Sequence, residues 1–424
     1  MKRPDIRIPS SLEMPRTESL TLRNGLKLYT LRSDDFAVVR VSFVFHAGSV
    51  TQRAPFVAGT TANLLAEGSS RMTGRQIAEQ LDFYGSYFEA SLDRDFVYIS
   101  FCSLRRYFRE TLKAAEEILL RPVFPEHEVE TYCRKRRQQL AVERTKVDTL
   151  AREAFSGALF GPEHPYGISY PESAYDTLAR ESLTDHYRRL YTGGNAIAVC
   201  SGHVGDEELK AIVGLAEQLP EGAAPELRFP EPESRPFVHI ERPEALQSSL
   251  RIGRLLFPRN HPDFTGMQVV ATVLGGYFGS RLMRNLREEH GYTYGVMASA
   301  VNFDRAGYLA IAAQVGAEVT RPALDEIFRE IERLRREPVG EEELTLTKRI
   351  LTGEMMRILD GPFGIADVAI ENILSHEPEG AVDRQLQEIR AITPDRIQSL
   401  AREYLDPDRL VTTVVGPAFG DPCE

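Results

Sequence analysis

The chain repeats itself once, and that repeat limits the fold more than any other feature. In the first half, Thr73 and Gln76 stand at capping-box spacing, and Ile77, Leu81 and Tyr84 form a helical stripe. Gly85 stops that helix. SYFEASLD and FVYISF then read as strands joined through Arg94-Asp95. Phe108, Leu112, Ala115 and Leu119 stripe a second helix, RPVFPEHE breaks it, and a third helix follows. The second half runs through the same order. A short helix carries Leu282, Met283 and Leu286 and ends at Gly291. YTYGVMASAV and YLAIAAQV are its strands, joined through NFDRAG. Leu324, Phe328, Ile331 and Leu334 stripe the next helix, and REPVGEEE breaks it before LTLTKRILTGEMM.

Gly85 to Gly291 is an offset of 206, and Pro122 to Pro338 is 216. Each half also closes with an aromatic-tipped helix and a strand, YTGGNAIAVCSG and YLDPDRLVTTVVG. One offset near half the chain length argues for a duplicated domain. The predicted fold class is α+β, with two homologous domains, each an antiparallel sheet with helices packed on one face. The stretch PEGAAPELRFPEPESRP, rich in Pro and Glu, holds the linker. The predicted units are therefore 1–221 and 237–424, with 222–236 between them. In a clamshell arrangement two such units enclose a cleft, a common place for ligands.

At 424 residues the chain is too long for one ordinary core, which agrees with two units. Its net charge of -11 argues against nucleic acid or an anionic membrane as the main partner. The basic run Arg134-Lys135-Arg136-Arg137 sits in a helical pattern with acidic neighbours and reads as a solvated face. Cys102, Cys133, Cys200 and Cys423 are far apart and form no CxxC pair. Reduced thiols and a cytoplasmic setting are expected, or a periplasmic one if a leader has been removed. No apolar stretch reaches membrane-spanning length.

Candidate chemistry is sparse. HEVET, from His127, comes near HExxH but ends in Thr131, so it reads as the acidic first turn of a helix. His164, in the turn-rich GPEHPYG, reads as structural, and Cys200, at the end of an apolar strand, as a buried thiol. No GxSxG elbow is present. The glycines of LGGYFGS (274–280) could cradle an anion, although a tight strand-to-helix turn accounts for them more simply. Arg287 and Tyr294 stand seven residues apart across the helix-Gly-strand break of LREEHGYTYGV. Arg287 near a helix C-terminus is favourable without any function, and Tyr294 suits a strand.

The repeat, the cleft, LRNGLKLY, HPYG and the segment LGGYFGSRLMRNLREEHGYTYGVMAS together resemble the pitrilysin/insulysin family of inverted-zincin peptidases. The resemblance covers nearly the whole chain. It implies an H-x-x-E-H helix in the first domain, with two histidines on zinc, the glutamate as base, and a second glutamate on a later helix. The matching helix lies in FVAGTTANLLAEGSS, where the histidine positions hold Gly59 and Asn63 and the base position holds Ala62. The distal glutamate falls near Gln138 or Gln139, with Gln139 preferred. None of these can do a ligand's work. The family's second domain supplies an Arg and a Tyr seven apart, and the resemblance carries that role to Arg287 and Tyr294, with Tyr292 a second candidate by strand period.

What the resemblance implies is a metal-free subunit, inactive alone, of a heterodimeric zinc metallopeptidase. Zinc is expected on a homologous H-x-x-E-H partner, and unfolded peptides are the expected substrates. In isolation two copies could pair as a homodimer. A non-enzymatic scaffold and a peptide-binding protein of the same fold are the alternatives.

Overall fold

The computed structural model describes residues 10–12 and 14–419, so Cys423 lies outside it. The first half opens with β1 (Glu18–Thr21), β2 (Lys27–Arg32) and β3 (Val38–Phe45), then α1 (Val57–Leu64) and α2 (Gly74–Phe83). The hairpin β4 (Tyr87–Leu92) and β5 (Val97–Leu104) leads to α3 (Phe108–Leu120), α4 (Glu126–Glu143) and α5 (Val147–Phe160). It closes with α6 (Arg180–Leu190), β6 (Ala196–Gly202) and α7 (Asp206–Ala216). Thr73 and Gln76 form a reciprocal capping box at the start of α2, and Gly85 ends it at φ 58°.

The second half runs β7 (Phe237–Glu241), β8 (Gln247–Leu256), α8 (Phe264–Gly275), then a π-helix over Met283–Glu289. The hairpin β9 (Thr293–Asn302) and β10 (Gly307–Gly316) follows, then α9 (Thr320–Arg336), α10 (Glu341–Ile358), α11 (Pro362–Leu374), α12 (Ala381–Ala391), α13 (Pro394–Tyr404) and β11 (Val411–Gly416). The segment 220–235 between the halves has no regular structure and is largely exposed.

The two sheets have one plan. The first runs β1-β2-β6-β3-β5-β4 and the second β7-β11-β8-β10-β9. Apart from β1, each strand of the first has its counterpart at the same place in the second. Both sheets are dominated by antiparallel pairs, as the sequence pattern suggests, with one parallel pair in each. β2 pairs with β6 in parallel, and so does β7 with β11. Those strands are far apart in sequence, and only long connections through helices can align them in parallel.

One face of each sheet packs on its own unit's helices. In the first, Val39, Val41, Phe43, Ile99 and Phe101 meet Phe108, Leu112, Ala115 and Leu119 of α3. In the second, Ile252, Leu309 and Ile311 meet Ile327, Ile331 and Leu334 of α9. Each unit's own helices thus lie on one face, as expected, and the opposite face is covered by a helix of the other half. Helix α5, from the first half, lays Phe155, Ala158 and Leu159 against Ala310 and Val411 of the second sheet. Helix α11, from the second half, lays Ala366, Ala369 and Ile370 against Leu31, Val44 and Val199 of the first. The halves thus exchange equivalent helices.

An ion pair repeats across each exchange. Arg251 of β8 meets Asp148 of α5 at 2.5 Å, and Arg40 of β3 meets Asp367 of α11 at 2.7 Å. Burial works against charge on Asp148, yet Arg251 holds its carboxyl below the usual carboxylate range. The two hairpin tips also meet. The Asp304 amide donates to Asp95 Oδ2 at 2.9 Å, and the Tyr166 hydroxyl donates to Asp95 Oδ1 at 2.7 Å. Tyr166 stacks on Phe303 at 4.4 Å.

Candidate functional site

The segment from Gly275 to Val296 is held by a framework of buried polar contacts. A Cβ on Gly275 would lie 2.5 Å from the Ala298 amide nitrogen, so glycine lets the end of α8 press against β9. The glycines of LGGYFGS therefore link two helices, and not a strand to a helix as expected. Arg281 is buried and forks onto Glu343 of α10 with two bonds of 2.9 Å. One turn on, Asn285 donates to Glu326 and Glu330 of α9, both at 3.0 Å. Leu282, Met283 and Leu286 fill the core between them. These contacts pin the π-helix to two helices of its own unit.

Widened turns of this kind occur often at functional sites, where they push a side chain off the regular face. Here the His290 amide reaches back five residues to the Asn285 carbonyl, and Gly291 turns the chain at φ 66°. Arg287 comes out on the open side. Its guanidinium carbon lies 4.2 Å from the centre of the Phe278 ring and 5.2 Å from that of Tyr294. No ion pair engages it among the described residues. A guanidinium held by ring faces keeps its in-plane N–H donors for another partner. Tyr294 is 91% exposed and presents its hydroxyl beside them.

Tyr292 does not share that surface. It precedes the strand, packs against the core and stacks on His290 at 4.9 Å. The two-residue period fails because β9 begins only at Thr293, whose hydroxyl bonds the Gly295 and Gln314 carbonyls across an irregular pairing. Phe278 carries no mark in the sequence. Its signal, an aromatic nine residues before Arg287, is visible only once the helix is folded.

In the first unit, Gly59 and Asn63 line a cleft of about 290 Å³ between α1, α4 and the 167–175 loop. Asn63 turns its amide onto the Gly59 carbonyl at 2.7 Å. Ala62 faces the core instead. The α4 residues that line the cleft are Tyr132, Arg136 and Leu140. Gln139 is exposed and bonds Arg136 and Glu143, so the structure sets Leu140, one residue on, against the cleft in its place. Glycine, asparagine, leucine and a guanidinium do not fit a zinc ion. Among the described residues no three His, Cys, Asp or Glu gather where they could share a metal. Arg287 and Tyr294 do not line this cleft.

The other sequence candidates are structural. His127 and its acidic neighbours sit in the first turn of α4. His164 is buried and accepts from the Tyr166 amide at 3.1 Å. Burial pushes the Cys200 thiol up to about 11, and Cys102, Cys133 and Cys200 are free thiols. Arg134, Lys135 and Arg137 are exposed, as a solvated face requires, but Arg136 is half-buried. No helix among the described residues is long and apolar enough to cross a membrane.

Residues 177–351 match the family described as the Peptidase M16 inactive domain. An uncharacterized zinc protease of Bacillus subtilis, YmxG, is 21% identical over 396 residues, covering 92% of this chain and 95% of that protein. The fold is shared with the crystal structure of a peptidase M16 inactive domain from Pseudomonas fluorescens, at TM-score 0.88, 22% identity, and 96% and 99% coverage of the two chains. It is shared too with a chain in Complex III2 from Candida albicans, at TM-score 0.77, 16% identity, and 94% and 95% coverage.

Proposed function

Because the chain belongs to the pitrilysin/insulysin family of M16 peptidases, as a non-catalytic member, we propose that it is one subunit of a two-chain zinc peptidase. In this reading it lends Arg287 and Tyr294 to the metal site of a homologous H-x-x-E-H partner in the cytoplasm. The observation that carries the proposal is the pairing of Arg287 with Tyr294 on an open surface, apart from the cleft of its own first unit.

Each residue then has a defined task. The Arg287 guanidinium, steadied between Phe278 and Tyr294, donates to a carbonyl of an unfolded peptide and fixes its register. The Tyr294 hydroxyl donates to the oxygen that gains charge as the scissile carbonyl becomes tetrahedral. Zinc belongs to the partner, and no step on this chain passes through it.

Co-expression with an H-x-x-E-H partner tests this. Peptide cleavage is measured for each chain alone, for the pair, and for pairs carrying Arg287→Ala or Tyr294→Phe. The pair should cleave, neither chain alone should match it, and each variant should lose on the order of 10²-fold in rate. A partner as active alone, or variants at full rate, would show the pair to be unused. That second outcome favours a scaffold role, which the fold shared with a Complex III2 chain supports.

A further inference from the structure

The cleft that holds Gly59 and Asn63 is also lined by three arginines, Arg94, Arg136 and Arg144. Arg144 is fully engaged. It pairs with Glu153 and Glu172, both at 3.0 Å, and bonds Ser169 and the Tyr170 carbonyl. The other two have no acid of their own. Among the described residues the Arg94 guanidinium forms no hydrogen bond or ion pair, and Asp95 and Glu153 act on it only at longer range. Arg136 bonds Gln139 at 2.7 Å and has no carboxylate paired to it; burial works against its charge, but the Tyr175 phenol beside it holds the guanidinium above its usual value. Both are half-buried.

Arg94, without an acid and sharing one small cleft with a second guanidinium, is unfavourable unless an anion completes it. Burial pushes the Arg94 guanidinium below its usual value, the sign of a charge held without its counterpart. Phe56, Leu92, Leu140 and Ile168 give the wall an apolar patch, and its one carboxylate, Glu153, is already paired with Arg144. Phe56 stands at φ 62°, where a bulky residue is strained, and stacks flat on Tyr175 at 4.1 Å. Strain of this kind persists where surroundings enforce it and gathers at ligand sites. At about 290 Å³ the cleft admits roughly one residue, not a nucleotide. An inorganic anion would leave the apolar wall unused.

We propose that this cleft binds the free carboxylate of a peptide C-terminus that ends in an apolar residue, with Arg94 and Arg136 as its two cations. The side chain of that last residue packs on Phe56 and Leu140. The site is a property of this chain alone and does not depend on a partner or on Arg287.

The test uses the full chain and a fluorescein-labelled hexapeptide ending in leucine, read by anisotropy. The free acid should bind at least about tenfold tighter than the C-terminal amide. Arg94→Gln and Arg136→Gln should each remove that discrimination. Arg134→Gln, on the exposed face of α4, should keep it. Equal binding of acid and amide, or no binding of either, overturns the proposal without any variant having to fold. So does discrimination that survives both cleft substitutions, or an amidated peptide with an internal glutamate that binds as well as the free acid.

Discussion

The end of α2 and the end of the π-helix occupy the same place in two copies of one design, and they differ by one residue. In the first unit the Ser86 amide reaches back five residues to the Leu81 carbonyl, and in the second the Tyr292 amide reaches back six to Leu286. Leu81 and Leu286 are both buried, so the core contact is kept. Directly after these leucines, Asp82 is exposed in the first unit and Arg287 is half-buried against Phe278 and Tyr294 in the second. Across the turn, the first unit has Phe88, half-buried against Phe101, where the second has exposed Tyr294. A duplicated backbone can thus carry an Arg/Tyr pair in one copy and an exposed Asp with a half-buried Phe in the other. The fold is kept, and the two copies differ in a widened turn and in the residues placed beside it.

The exchanged helices allow a harsher test of how alike the copies are. Leu159 of α5 is wholly buried, whereas Ile370 of α11 keeps 5% exposure beside small Ala366 and Ala369. Leu159→Ala should cost about 2–5 kcal/mol and Ile370→Ala should fall at the low end of that range, by urea denaturation. Equal losses would show that the two exchanges are energetically interchangeable.

The hairpin tips come next. Burial raises the Asp95 carboxyl to about 6 from an ordinary 3.8, against bonds from the Asp304 amide and Tyr166 hydroxyl that favour its charge. The folded state therefore keeps a proton that the unfolded chain releases. The stability this lends is complete below about pH 4 and is lost as pH rises through about 6, on the order of 3 kcal/mol. Stability measured from pH 4 to 7 should fall less in Asp95→Asn than in the unaltered protein. Parallel profiles would remove Asp95 from the account.

The repeated ion pairs should separate by exposure. The Arg251–Asp148 side chains are 16% and 35% exposed, and those of Arg40–Asp367 are 18% and 56%. Arg251→Ala should cost about 2 kcal/mol and Arg40→Ala less than about 1, read as shifts in denaturation midpoint. The smallest effect belongs to Phe278→Ala. An exposed cation–π contact contributes about 0.5–1 kcal/mol, so the partnered cleavage rate should drop roughly two- to fivefold. An unchanged rate would mean that Tyr294 alone steadies Arg287.

Much of the fold was legible in the sequence. The capping box at Thr73, the turns at Gly85 and Gly291 and the stripes of α3 and α9 follow from local chemistry, and the structure has them. Which sheet a helix covers does not follow. VDTLAREAFSGALF and PFGIADVAIENIL show an apolar side, but periodicity carries no address for it. The π-helix hides for a related reason, since Leu282, Met283 and Leu286 suit an α-helix equally well. Gln139 in place of Leu140 is a slip of one residue, which on a helix turns the face by about 100°. Arg94 and Arg136 were hidden in a turn and a basic run, because only the folded chain shows that they lack acids.

The helix exchange bears on how the chain comes apart. The segment 220–235 is the one covalent bridge between the halves, and it is exposed. Each half, though, grips the other with a helix drawn from its own interior, as in a domain-swapped dimer whose protomers share one chain. A protease that cuts this bridge should leave a complex that still migrates as one particle. The peptide link would then matter chiefly for folding, by bringing the two partners of the swap together.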